Sequence, residues 1–158
     1  MSMFLGTHQN RIDAKGRVSI PASFRASLRV RSKSDEAVAD PQATVQVVLR
    51  PSHKYPCIEA WPPSSFAALA SPLDRLDMFS EDHDDLSAAL YADAYPVDSD
   101  KEGRIMLPDV LTAHAGLTDT VSFMGLGPIF QIWEPQAAER RRAQARERAR
   151  DVRLPAGR

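Results

Sequence analysis

Asp13-Ala14-Lys15-Gly16-Arg17-Val18-Ser19-Ile20-Pro21 and Asp100-Lys101-Glu102-Gly103-Arg104-Ile105-Met106-Leu107-Pro108 are two versions of one phrase, D-x-x-G-R-aliphatic-x-aliphatic-P, set 87 residues apart. Phe24 and Leu111 keep the register, each three residues past its proline. A second echo follows at an offset of 72: Cys57-Ile58-Glu59-Ala60-Trp61-Pro62-Pro63 and Ile129-Phe130-Gln131-Ile132-Trp133-Glu134-Pro135. The chain is therefore an internal duplication. Its first copy carries 15 extra residues between proline and tryptophan. The polar stretch 31–44 is the natural place for them, as an inserted, mobile loop.

Both copies parse alike. A strand (9–12; 95–97) enters a tight turn, where the aspartate can bond its own backbone and the glycine can take positive φ. A second strand alternates with period two: Val18 and Ile20 oppose Arg17 and Ser19, and Ile105 and Leu107 oppose Arg104 and Met106. Proline ends that strand and opens a short helix. The helix carries Phe24 and Leu28 in the first copy, and Val110, Leu111 and His114 in the second, with Gly116 placed as its C-cap. A hairpin follows, 45–50 with 57–61 and 121–124 with 129–133. A β-turn-β-helix-β-β unit of this size cannot bury its apolar face alone. Two copies are expected to pack around a pseudo-twofold axis and close a small sheet or barrel, a mainly β fold with short helices (α+β). Residues 65–76 show helical apolar spacing interrupted at Pro72, and 84–92 form a helix opened by acids. Residues 135–150 are helix material without large apolar residues, hence an exposed or frayed helix, and 152–158 are expected to be disordered.

At 158 residues and 17.5 kDa, with 43% hydrophobic and 26% charged residues, the chain fits one folded unit with a real core. A single cysteine, Cys57, excludes an internal disulfide and a multi-cysteine zinc site. No basic-plus-apolar leader and no apolar run of ~18 residues is present, so the expected location is the cytoplasm. The formal net charge of -1 hides a segregation: +6 over residues 1–33, -8 over 71–102 and +5 over 136–158.

Turn geometry calls for Asp13, Gly16, Asp100 and Gly103, but not in itself for the arginine that follows. A twice-used arginine on the polar face points to a twice-used anionic target, with duplex DNA the leading candidate. This reading fails if Arg17 and Arg104 are locked in internal ion pairs or turned away from each other beneath neighbouring protomers. Enzyme readings are weaker. His8, His53, His83 and His114 share no metal spacing, Cys57 sits in an apolar strand pattern, and the acids 81–85 read as a solvated cap ahead of a helix. No nucleophile-elbow, P-loop or dinucleotide motif is present. No catalytic residue, metal or cofactor is expected. Trp61 and Trp133 read as hairpin-end or core anchors.

Together with Met3-Phe4-Leu5-Gly6 and His114-Ala115-Gly116-Leu117, the two repeated phrases resemble the MraZ family of bacterial transcriptional regulators, over roughly residues 3–135. The resemblance implies two AbrB-like (SpoVT-AbrB) halves forming a swapped-hairpin barrel, here an N-terminal half (3–61), a helical linker (63–93) and a C-terminal half (94–135). Together these make one pseudo-dimeric unit, 1–135, followed by an arginine-rich helical or disordered tail, 136–158. It further implies a homo-oligomeric ring that binds tandem promoter repeats as double-stranded DNA. Such a ring represses the division and cell-wall gene cluster in the nucleoid, with no membrane or small-molecule partner. Carried over, Arg17 and Arg104 are the main DNA contacts, with Lys15 beside the first. Glu102 stands where Lys15 has its counterpart, and Lys101 partly offsets it. An antitoxin-type protein-interaction module without selective DNA binding is the alternative.

Overall fold

A computed structural model describes residues 3–32 and 44–156. Most of the expected insertion at 31–44 thus lies outside the described residues. The elements run β1 (Thr7–Arg11), β2 (Arg17–Ser19), α1 (Ala22–Ser32), β3 (Gln46–Pro51), β4 (Ile58–Trp61), α2 (Pro63–Ala70), a 3-10 turn (Ser71–Arg75) and α3 (Glu81–Ser87). After a π-helical turn (Ala88–Ala92) come β5 (Tyr95–Asp98), β6 (Arg104–Met106), α4 (Asp109–Ala115), β7 (Thr120–Gly125), β8 (Phe130–Trp133) and α5 (Pro135–Ala149). The helix expected over 65–76 breaks before Pro72, whose ring forbids the interior helical bond, and continues as the 3-10 turn.

The eight strands form a mainly β, α+β fold divided between a six-stranded antiparallel sheet, β1-β7-β8-β4-β3-β5, and a two-stranded ribbon, β2-β6. The order is a palindrome when the copies are exchanged: β1 answers β5, β7 answers β3, and β8 answers β4. The pseudo-twofold axis passes between Glu59 and Gln131 in the sheet and between Val18 and Ile105 in the ribbon. The strands that flank each Asp-x-x-Gly-Arg turn, β1 and β2 or β5 and β6, do not pair with each other. β1 pairs β7 and β5 pairs β3, each across the boundary between the copies. Each copy thus completes the other's sheet, which is the swapped arrangement.

The ladders also relocate part of the length difference. Val47 lies opposite Val97, and Val121 opposite Asn10, so Val47 and Val121 are equivalent at an offset of 74. Thirteen of the extra residues therefore precede β3, and two belong to the β3–β4 connection rather than to 31–44.

The core lies between ribbon and sheet. Val18, Ile20, Ile105 and Leu107 pack onto Val47, Leu49, Ile58, Ala60, Val121, Phe123, Phe130 and Ile132. Phe4, Phe24, Phe123 and Phe130 stack at centroid distances of 4.9–6.4 Å. Removing one such ring would cost about 3–5 kcal/mol. The opposite face of the sheet is covered by α5. Ala138 is buried there with Cys57, Met124 and Trp133, and the Arg141 guanidinium lies 4.4 Å from the Tyr55 ring centroid. The first turns of the arginine-rich helix are therefore docked, against the expectation of an exposed or frayed helix. Small alanines let the helix approach closely, and its arginine stems cover the seam. Beyond it, Asp151–Ala156 carry no regular structure and are exposed.

Candidate nucleic-acid interface

The two Asp-x-x-Gly-Arg turns are built identically. Asp13 Oδ1 accepts from the backbone N–H groups of Lys15 (2.9 Å) and Arg17 (2.8 Å), and Asp100 Oδ1 accepts from Glu102 (2.9 Å) and Arg104 (2.9 Å). Gly16 and Gly103 take φ of +83° and +82°, the left-handed region that closes each turn. Their carbonyls then tie each turn to the opposite copy: Gly103 O accepts from Ile20 N (2.8 Å) and Gly16 O from Leu107 N (3.4 Å). The Arg25 side chain lies directly over Gly103, where any Cβ would overlap it.

Each arginine is ion-paired within its own turn, which counts against the sequence reading, but the pair holds only one edge of the fork and does not lock it. Arg17 Nε donates to Asp13 Oδ2 at 2.9 Å and Arg104 Nε to Asp100 Oδ2 at 2.8 Å. Hence the turn does use the arginine, because the same aspartate caps the backbone with one oxygen and holds the guanidinium with the other. The backbone N–H of Arg17 does most to hold the Asp13 carboxyl below the usual carboxylate range, with the Arg17 side chain adding to it against the opposing effect of burial. Asp100 is lowered in the same way by Arg104. Arg104 is pushed up, first by its bond to Asp100 and finally by Asp13 across the ribbon.

The pairing engages one edge of each fork and orients the rest. The Arg17 side chain bonds only through Nε among the described residues, leaving both Nη atoms. Arg104 also gives Nη2 to Glu102 Oε1 at 3.0 Å and keeps Nη1. The side chains are 28% and 33% exposed, so the forks reach solvent. Lys15 and Lys101 are exposed on their turns. Counting formal charges, the first turn (Asp13, Lys15, Arg17) is +1, and the second (Asp100, Lys101, Glu102, Arg104) is 0.

Ribbon register brings the two arginines together. Arg17 lies opposite Met106 and Arg104 opposite Ser19, so the arginines are diagonal neighbours on the outward face, about 7–8 Å apart. That spacing fits within one major groove, ~12 Å wide, and not the ~34 Å between half-sites a helical turn apart. The two turns form one contact surface rather than two. Sequence reasoning missed this, because alternation reveals which face a residue takes but not which strand lies beside it.

Among the described residues, no group of three His, Cys, Asp or Glu is placed to hold a metal, and no helix is long and apolar enough to cross a membrane. Burial pushes the Cys57 thiol up to about 12; the residue is fully buried in the bend just before β4, not in the strand its apolar pattern suggested. The tryptophans are anchors tied to the axis residues: Trp61 Nε1 donates to Glu59 Oε1 (3.1 Å) and Trp133 Nε1 to Gln131 Oε1 (2.8 Å).

A duplicated, strand-exchanged β fold with twin Asp-x-x-Gly-Arg turns on one ribbon defines a fused pseudo-dimer. The family model described as "MraZ protein, putative antitoxin-like" matches residues 3–88 and 90–152. A protein of Gluconacetobacter diazotrophicus named transcriptional regulator MraZ is 69% identical over 99% of this chain and 94% of its own length. Proteins of the same name from Gluconobacter oxydans (67%; 96% and 88%) and Xanthobacter autotrophicus (36%; 99% and 93%) are also similar. The chain belongs to the MraZ family, a family of transcriptional regulators.

Proposed function

We propose that this chain is a sequence-specific double-stranded DNA-binding regulator without catalytic activity. It acts in the cytoplasm at the nucleoid and represses a division and cell-wall gene cluster. Residues 3–61 and 94–135 serve as the two halves of one binding unit joined by 63–93, with 136–158 as an appended basic tail. The observation that supports this reading most is the ribbon register: Arg17 and Arg104 share one outward face, each pre-oriented by an aspartate and each with Nη donors left over. A guanidinium held by a carboxylate loses less freedom when it binds a guanine edge or a phosphate, so its bidentate contact is stronger and more selective. Lys15 and Lys101 add sequence-independent attraction to phosphates.

One such surface is small. Several copies in a homo-oligomeric ring, each facing one of a set of tandem promoter repeats, would raise avidity by ~10² or more and occlude polymerase. A second reading, an antitoxin-type module that covers a protein partner, is favoured by the wording of the family description and by the turns' own ion pairs. A gel shift on the chain's own upstream region at two salt concentrations, beside an unrelated duplex of equal length, separates the two. Preference for the upstream duplex that persists at the higher salt supports the regulator. Equal binding to both duplexes refutes it.

A further inference from the structure

The chain's charge segregation and an apolar groove remain unused by the twin turns. The groove, about 430 Å³, lies between the α2/3-10 segment and the α3/π segment. Its walls are Leu69, Leu73, Leu76, Leu86 and Leu90, of which Leu69 and Leu86 are 39% and 50% exposed; His53 and Arg50, the latter ion-paired to Glu59 at 2.8 Å, also line it. No acid lines the groove itself, but exposed acids neighbour its lining residues along the chain. Asp82 and Asp85 stand one helical turn before Leu86 and Ala89 and so share their face of the helix, while Asp74 and Asp77 flank Leu73 and Leu76 on the other wall. None of these four acids takes part in an ion pair among the described residues.

The opposite chemistry leaves the far end of α5. Arg148 and Arg153 make no ion pair among the described residues, and between and beyond them Val152 and Leu154 are 64% and 87% exposed. A segment with two bare aliphatic side chains beside cations complements a leucine-walled groove with exposed carboxylates near it. Apolar burial supplies the attraction, and the charges set register and direction.

We infer that residues 148–155 of one copy dock in the α2–α3 groove of the next, with Val152 and Leu154 between the leucines and Arg148 and Arg153 against the acids at 74, 77, 82 and 85. The contact joins unlike surfaces, so it is heterologous: each copy offers one groove and one tail, and repetition closes a ring. This inference rests on the proposed homo-oligomer and names the contact that builds it. It also gives a role to the basic tail and the acidic linker.

Reciprocal charge reversal tests it in the full-length chain, with molar mass read by light scattering after size exclusion. A tail variant (Arg148→Glu with Arg153→Glu) and a groove variant (Asp82→Lys with Asp85→Lys) should each, alone, lose the wild-type assembly mass. All four positions are exposed, so far-ultraviolet circular dichroism should stay native. An equimolar mixture should regain the mass, because the acidic tails meet basic grooves while the basic tails meet acidic ones. A wild-type mass in either variant alone, or no recovery on mixing, as docking within one chain would give, overturns the tail-in-groove contact while the oligomer stands. A monomeric wild-type chain at every concentration overturns both.

Discussion

Truncating Arg17 to alanine separates the guanidinium from the turn that carries it. The Asp13 cap on the backbone N–H groups of residues 15 and 17, at 2.9 and 2.8 Å, needs no side chain from Arg17 and survives. What is lost is the Nε–Oδ2 bond at 2.9 Å, a solvent-reached ion pair of a class that contributes little in water. The melting temperature of Arg17→Ala should therefore stay within about 2 °C of wild type. DNA binding should change far more. Two unbonded Nη atoms can form a bidentate base contact worth ~1–3 kcal/mol, or about 5–150-fold in Kd. If the contact is to phosphate, the slope of log Kd against log salt should fall by ~1. Fluorescence anisotropy on a promoter-repeat duplex at 2 or more salt concentrations reads both, beside thermal melting of the same sample. Wild-type Kd and slope in a natively melting variant would refute the assignment of Arg17, and a melting drop above ~5 °C would refute the claim that the backbone holds the turn.

Replacing Glu102 by Lys makes the second turn match the first and releases Arg104 Nη2, so binding should tighten and the salt slope should steepen by about one added phosphate contact, ~0.9. Because Asp13 and Asp100 titrate below the ordinary carboxylate range when folded, their stabilisation is complete above the unfolded value and fades as pH falls through the depressed one. Melting curves from pH 6 to pH 3 should accordingly fall less steeply for Asp13→Asn with Asp100→Asn than for wild type. Gly16→Ala meets only the left-handed backbone cost, ~1–2 kcal/mol, whereas Gly103→Ala also drives a Cβ into Arg25; urea titration should rank Gly103→Ala as the less stable. Cys57, buried and with its thiol raised to about 12, should resist iodoacetamide at pH 8 in the native chain and react once unfolded.

How much was legible follows from which interactions are local. The duplication, both turns, the proline-started helices and the hairpins are encoded within about ten residues each, and they are found where periodicity put them. Strand partners are not local. The phrase around Gly16 reads as a hairpin corner, yet β1 leaves it for β7 and β2 for β6, because burying Val18 against Ile105 satisfies both copies at once. The same blindness misread the arginines. That Asp13 would spend one oxygen on the backbone and the other on Arg17 Nε depends on a side-chain direction no spacing rule supplies. The docking of α5 was hidden too, since Ala138 carries no apolar signal of its own and is buried only because Cys57, Met124 and Trp133 leave a shallow seat on the back of the sheet.

Joining two equivalent halves in one polypeptide also frees them to differ. A dimer of identical chains must show the same residue at both ends of its central ribbon and so favours palindromes. Here one end carries Lys15 and the other Glu102, which gives the ribbon face a front and a back. On the DNA contact proposed above, such a face suits sites that all point the same way along a promoter, and a copy set down in reverse would place its acidic corner where the basic one belongs.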